Sequence, residues 1–341
     1  MMSLLKVKNL NISFKLYRGI SEVVKNINMK VDVGESVAIV GETGCGKSIC
    51  VKAVLGILPS PPAQINCDMI NYKGTNIFGM DYRDLGKIRG SGISIVFQNP
   101  MTALSPVFTI GEQMIDIYKW HSKPTISILD WWIKDKIDKN STKEAIEKVI
   151  NTLSLVKMPE PKDILTKYSF QLSGGMRQRV QIAAALITDP DLIIFDEPTT
   201  ALDLSIQNQI IDLIKEIIKK RNLSTLFITH NLGVARALCR RIYVMYAGEI
   251  VETGYGKDVF DNPLHPYTKG LLASIPKLTG KMGDGIEGKI PDYINRPSGC
   301  GFHPRCVYAK EICKHRPSEL IEVEPEHYIS CHMLTKKGDQ L

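Results

Sequence analysis

Gly41, Gly44, Gly46, Lys47 and Ser48 have the types and spacing of a phosphate cradle, two glycines five apart followed by Lys and Ser, the pattern called a P-loop. Glycines there let the backbone turn tightly and aim its N–H groups at phosphate oxygens. Lys47 has the charge and reach for the β- and γ-phosphates, and Ser48 offers the hydroxyl that Mg²⁺ takes. Thr43, Cys45 and Ile49 belong to the same nucleotide-contacting stretch. Further along, polar side chains stand where apolar runs stop: Gln98 after residues 93–97, Asp196 and Glu197 after 192–195, His230 after 226–229. Gln98 can reach a metal and an attacking water, Asp196 can hold Mg²⁺ through water, Glu197 can take the water's proton, and His230 can hydrogen-bond a γ-phosphate. The chemistry open to this set is in-line attack of water on a γ-phosphate, with Lys47 and Mg²⁺ neutralising charge.

These side chains need a sheet to carry them. Residues 37–40 read as a buried strand entering the P-loop and 48–55 as the helix leaving it, whose N-terminus adds positive character at the phosphates. The run 192–195 is continuously apolar, as a parallel strand covered on both faces should be, residues 93–97 and 226–229 read as further buried strands, and ligands bind beyond the carboxyl ends of such strands. Residues 5–14 and 24–33 instead alternate apolar with polar, which predicts a small antiparallel sheet with one wet face. Tyr17, between those strands, can stack on a purine; Phe14 is the alternative.

From 101 to 168 the pattern is helical, interrupted by the polar stretch 120–124, and predicts an inserted helical lobe. Ser141 to Glu144 has capping-box spacing, with Ala145, Ile146, Val149, Ile150 and Leu153 following on one face. Trp131 and Trp132 fit either a partner-binding surface or packing within the lobe. Leu172-Ser173-Gly174-Gly175-Met176 then leads into a helix over 177–186, so Ser173, Gly174 and Gly175 build a second anion site at a helix N-terminus. Residues 199–203 lead to an amphipathic helix with Ile206, Ile210, Leu213, Ile214 and Ile217 facing inward.

At 341 residues, 44% of them hydrophobic, the chain can bury one large core or two ordinary ones. Its 43 basic and 36 acidic residues give a net charge of +7, which suits an anionic ligand or a membrane surface and is too small to argue for nucleic acid. Apolar runs fall far short of the ~20 residues a spanning helix needs, and no basic-then-apolar export signal opens the sequence, so a soluble, cytosolic protein is expected. In that compartment clustered cysteines point to metal before disulfides.

Taken in order, the P-loop, Gln98, the 172–176 segment, Asp196-Glu197, Asp203 and His230 resemble the ATP-binding cassette ATPases over about residues 4–255. The resemblance implies an α/β fold. Its parts are a P-loop nucleoside-triphosphatase (RecA-like) core, an N-terminal antiparallel β subdomain, an inserted helical subdomain at about 101–175, and a small C-terminal extension with a cysteine cluster. The domains are then 1–258 and 259–341. It further implies a head-to-tail dimer with ATP and Mg²⁺ between one subunit's P-loop and the other's signature helix, so that Ser173 and Gly175 act on a partner's nucleotide. Asp203 looks like the family's D-loop residue and His230 like its switch histidine. Two departures are visible: Met176 stands where many cassettes have Gln, and Asn231 where Asp is usual; neither removes a reacting group.

Residues 262–272 resemble the C-terminal segment of ATPase subunits of dipeptide and oligopeptide importers, whose relatives also carry nickel and glutathione. That implies a second ATPase subunit, identical or different, two transmembrane permease subunits, an external substrate-binding protein, and a place at the cytoplasmic face of the membrane. Cys300, Cys306, Cys313 and Cys331 look like that subfamily's cysteine cluster. Their gaps of five, six and seventeen residues do not match the short loops of structural zinc, and four thiolates suit a [4Fe–4S] cluster, with Zn²⁺ the alternative and His303, His315 and His332 near enough to replace a thiolate. Such a site would staple a tail too small to fold alone. The rival classes are a nucleic-acid-associated cassette, which would carry a long heptad run absent here, a translation-factor cassette, which would carry two P-loops, and a cysteine-cluster sensor, which measured turnover would separate.

Overall fold

The computed structural model describes residues 3–122, 139–200, 202–275 and 285–334. In chain order the strands are β1 (Ser3–Leu16), β2 (Gly19–Asp32), β3 (Ser36–Val40), β4 (Ala63–Asn66), β5 (Met69–Tyr72), β6 (Thr75–Asn76) and β7 (Ile93–Val96). Then come β8 (Leu192–Asp196), β9 (Ser224–Thr229), β10 (Arg241–Tyr246), β11 (Glu249–Tyr255), β12 (Ile321–Glu324) and β13 (His327–Ile329). Two compact units divide the chain: residues 1–79 with 226–341, and residues 80–225.

In the first unit the alternating stretches pair as the sequence predicts, although the strands are longer and Val33 lies just beyond β2. β1 and β2 form an antiparallel hairpin running from Ser3 opposite Asp32 to Leu16 opposite Gly19. β4 and β5 pair antiparallel with β1, and β6 with β5. The second sheet of this unit has the order β12-β13-β11-β10-β3-β9. β3 lies parallel to β10, Val37 opposite Arg241 through Val40 opposite Val244. Every residue of β3, β9 and β10 is buried, which is why residues 37–40 and most of 226–229 read as apolar in the sequence.

The C-terminal extension is part of this unit, and it is anchored by side chains of its own. Tyr267 and Phe302 are buried against Tyr246 of β10, with ring centroids 4.7 and 5.0 Å away. Such aromatic pairs add about 0.5–1.5 kcal/mol each beyond their burial. β13 pairs antiparallel with β11, Ile329 opposite Glu252. Glu252, fully buried, accepts N–H bonds from Leu264 and His265 at 2.8 and 2.9 Å, and lies 2.8 Å from His327 Nε2. Burial pushes the Glu252 carboxyl up, and its bonds with His327 and the two amides help outweigh that, leaving it below its ordinary value. Arg241 of β10 makes a 2.8 Å ion pair with Glu326 in the β12–β13 turn.

In the second unit β7 and β8 pair parallel, Ile93 opposite Leu192 through Val96 opposite Phe195. The helical lobe expected over 101–168 contains helices Pro100–Ala103, Ile110–Ser122, Lys139–Leu155 and Pro161–Ile164. Ala145, Val149 and Leu153 are fully buried, as their spacing predicts. The capping box is not where the spacing put it: the helix already runs through Lys139, so Ser141 to Glu144 lie inside it. The Thr142 hydroxyl accepts a 2.8 Å bond from Lys119 Nζ instead. Trp131 and Trp132 lie outside the described residues. In helix Leu204–Arg221 the buried face is Ile210, Leu213, Ile214 and Ile217, with Ile206 half-buried, and Lys219, Lys220 and Arg221 complement its C-terminal dipole.

His265 yields a pH prediction for the extension. Burial holds its imidazole at about 4, below the ordinary 6.5. Between those values the unfolded chain binds a proton that the folded chain refuses, so stability rises with pH across that window and is lost as pH falls through it. Urea unfolding midpoints measured from pH 7 to 4 should therefore decline less steeply in His265→Asn than in the wild type. Equal slopes would contradict the assignment.

Candidate active site

The P-loop joins β3 to helix Lys47–Val54. Gly41 meets the backbone of β10 so closely that a Cβ there would sit 2.2 Å from the Met245 carbonyl oxygen. Gly46 takes φ +104°, a left-handed conformation suited to glycine. Lys47 is buried, and its Nζ donates to the carbonyls of Gly41 and Glu42, both at 2.9 Å. The Cys45 thiol beside it is buried, which raises its pKa despite Lys47 and keeps it neutral. Thr43 and Gly44 are exposed, and Ser48 and Ile49 half-buried.

Three contacts on this loop were not legible in the sequence. Tyr267 Oη accepts the Glu42 N–H at 2.9 Å, Tyr293 Oη donates to the Gly44 carbonyl at 2.7 Å, and Arg305 grips the Glu42 carboxylate with two bonds of 2.8 and 3.0 Å. Arg305 and Glu42 are 263 positions apart, so no local pattern announces the pair. In the same unit, His230 follows β9 and is exposed. Asn231 caps helix Leu232–Leu238, its side-chain oxygen accepting the N–H groups of Gly233 and Val234 at 2.9 and 3.3 Å. An amide oxygen performs this cap as a carboxylate would, which makes Asn harmless where Asp is usual. Tyr17 lies fully exposed in the β1–β2 turn, and Phe14 is half-buried.

The carboxylate set stands in the second unit. Asp196 ends β8 buried, and Glu197, also buried, follows it at φ +48°, a strained conformation for a side chain with a Cβ. Gln98 Nε2 donates to Glu197 Oε2 at 2.8 Å, and the Thr200 hydroxyl donates to the same oxygen at 3.0 Å. Gln98 and Glu197, 99 residues apart, are thus brought together as their strand-exit positions predict. A carboxylate aimed by an amide and a hydroxyl is built to accept a proton in one direction. Helix Gly174–Leu186 opens with Ser173 as its cap, whose hydroxyl accepts the Met176 N–H at 3.3 Å. Only the backbone of Met176 is used in that cap, so Met does there what Gln would. Asp203 is exposed at the start of helix Leu204–Arg221.

The four-cysteine site expected from the sequence is not shown. Among the described residues no three His, Cys, Asp or Glu side chains are gathered as metal ligands. The thiols do share one region: Cys331 is raised to about 11, chiefly by burial, with contributions from Cys300, Cys306 and Cys313. Burial likewise raises Cys300 and Cys306.

A strand–P-loop–helix unit, and a buried carboxylate held at a parallel strand's exit by a glutamine, define a nucleotide-phosphate-binding α/β protein. The family described as ABC transporter matches residues 24–200, and the one described as oligopeptide/dipeptide transporter, C-terminal region, matches 251–313. The chain is 40% identical to the Bacillus subtilis dipeptide transport ATP-binding protein DppD, over 99% of this chain and 97% of the relative. It is 39% identical to the oligopeptide transport ATP-binding protein OppD of the same organism, over 97% and 89%. Among solved structures it is similar to a dimeric post-hydrolysis state of the ATP-binding cassette MJ0796 bound to ADP and Pi. That match has a TM-score of 0.59 and 26% identity, and covers 74% of this chain and 98% of the other. Similar too is cbiO1 from Clostridium perfringens, with a TM-score of 0.60 and 27% identity, covering 77% and 92%. This chain belongs to the ABC transporter family.

Proposed function

We propose that this chain is the ATP-hydrolysing subunit of a membrane importer of dipeptides or oligopeptides. The observation that carries the enzymatic part is Glu197, fixed at the exit of β8 by Gln98 and Thr200. The cargo class rests on the relatives' peptide-transport names and on the matched C-terminal region. Phosphate oxygens would compete with the Gly41 and Glu42 carbonyls for the Lys47 ammonium. Ser48, with Asp196 and Gln98, would hold Mg²⁺, whose chemistry is charge neutralisation at the phosphates. Glu197 takes the proton of the attacking water, and His230 steadies the γ-phosphate.

The functional unit in this proposal is a pair of ATPases, this chain with a copy or a homologous subunit, in which Ser173, Gly174, Gly175 and Asp203 of one face the nucleotide of the other. No helix among the described residues is long and apolar enough to cross a membrane. Two permease subunits would supply the span, with this chain peripheral on their cytoplasmic side, and an external binding protein would deliver the peptide.

The four-thiol site also enters as a proposal. Cys331 lies near enough to Cys300, Cys306 and Cys313 to be raised further by them, and that shared region supports one centre, a [4Fe–4S] cluster before Zn²⁺. Binding would displace the protons these thiols retain.

Glu197→Gln keeps the shape and removes the proton acceptor, so it should retain ATP binding, lose about 100-fold or more in steady-state phosphate release, and associate on addition of Mg-ATP in sedimentation. Near-wild-type turnover would sink the assignment of Glu197. Absence of ATP-dependent association, with or without a homologous subunit, would sink the sandwich. Purified without oxygen, the protein should carry about four irons per chain and absorb near 400 nm; a colourless protein with stoichiometric zinc would overturn the iron–sulfur choice, and one free of both metals the site.

A further inference from the structure

The P-loop carries a carboxylate where it is to receive a polyanion. Glu42 is its second residue, flanked by Gly41 and Thr43, and its own carbonyl already lies 2.9 Å from the Lys47 ammonium. Unpaired, the Glu42 side chain would oppose phosphate in two ways. It would repel each bound oxygen directly, and it would lower the positive potential that Lys47 and the loop offer them. The structure closes both routes with one residue from the far end of the chain.

We infer that Arg305 is a positioning residue for ATP: by pairing with Glu42 it cancels the charge inside the P-loop and leaves Lys47 for the phosphates. This rests on the ATP reading above. The pair is a fork, Nη1 to Oε2 at 2.8 Å and Nη2 to Oε1 at 3.0 Å, the geometry in which guanidinium and carboxylate bind most strongly. The guanidinium is pinned. Its Nε donates to the Glu287 carbonyl at 2.8 Å and Nη2 to that of Ile286 at 3.2 Å, and it lies 5.7 Å from the Tyr246 ring centroid. Its side chain is 5% exposed against 27% for Glu42, so the cation is preplaced and the loop's carboxylate comes to it. The other extension contacts on the loop, from Tyr267 and Tyr293, are neutral and touch only backbone. They can set the loop's shape, whereas its charge is set by Arg305 alone among these three.

The test separates charge from packing. Arg305→Met fills similar space without a cation, Arg305→Lys keeps the cation without the fork, and Glu42→Gln removes the charge that needs cancelling. Binding of a non-hydrolysable ATP analogue with Mg²⁺, and KM and kcat for ATP, are measured on the full chain, with thermal midpoints as the folding control. Arg305→Met is expected to weaken Kd and raise KM about tenfold with kcat within about twofold, more so at low salt. Arg305→Lys should stay within about threefold of wild type, and Glu42→Gln/Arg305→Met should recover to that same range. Arg305→Met binding as tightly as wild type overturns the inference. So does a double variant no better than Arg305→Met, or a lysine variant as weak as the methionine one, because then packing is the cause. A wild-type protein that binds no ATP would instead refute the ATP reading itself.

Discussion

A loop that offers its N–H groups to an anion must have its carbonyls held by something else, and the rest of this structure is arranged around that need. The carbonyls of Gly41 and Glu42 accept from Lys47, that of Gly44 from the Tyr293 hydroxyl, and that of Cys45 from the Gly248 N–H at 2.9 Å. Each partner comes from a different place: the helix after the loop, the C-terminal extension, and the β10–β11 turn. The extension is therefore no loose tail. Buried Glu252 joins its two ends through His265 and His327, Tyr246 receives Tyr267 and Phe302, and these anchors carry Tyr267 and Arg305 to the loop.

The carboxylate set obeys the same logic on a smaller scale. Glu197 stands at positive φ, a conformation costing on the order of 1–3 kcal/mol that persists only where surrounding contacts impose it. Gln98 and Thr200 are among its contacts, and they aim the carboxylate.

The parts of the site that follow from short stretches are legible in the sequence. Residues 192–195 and 226–229 are largely apolar because both faces are buried, so Asp196-Glu197 and His230, which follow them, mark strand exits, as Gln98 does after 93–97. The β10 strand over Arg241–Tyr246 opens with a charged arginine and is followed by no polar strand-exit side chain, so nothing in the sequence singles it out. Spacing by itself misleads. Ser141 to Glu144 has the capping interval inside a helix that begins upstream. The Glu252–His327 and Glu42–Arg305 contacts are invisible in the sequence because they join residues 75 and 263 positions apart, through polar side chains that read as solvated surface.

Everything in the site turns on Lys47 serving phosphate, so the most direct test is equilibrium binding of Mg-ATP to the wild-type chain and to Lys47→Ala, followed by calorimetry at fixed ionic strength. Loss of the loop cation proposed to serve the β- and γ-phosphates should weaken binding by about tenfold or more while leaving the fold intact by circular dichroism. Equal affinities in the two proteins would contradict the account.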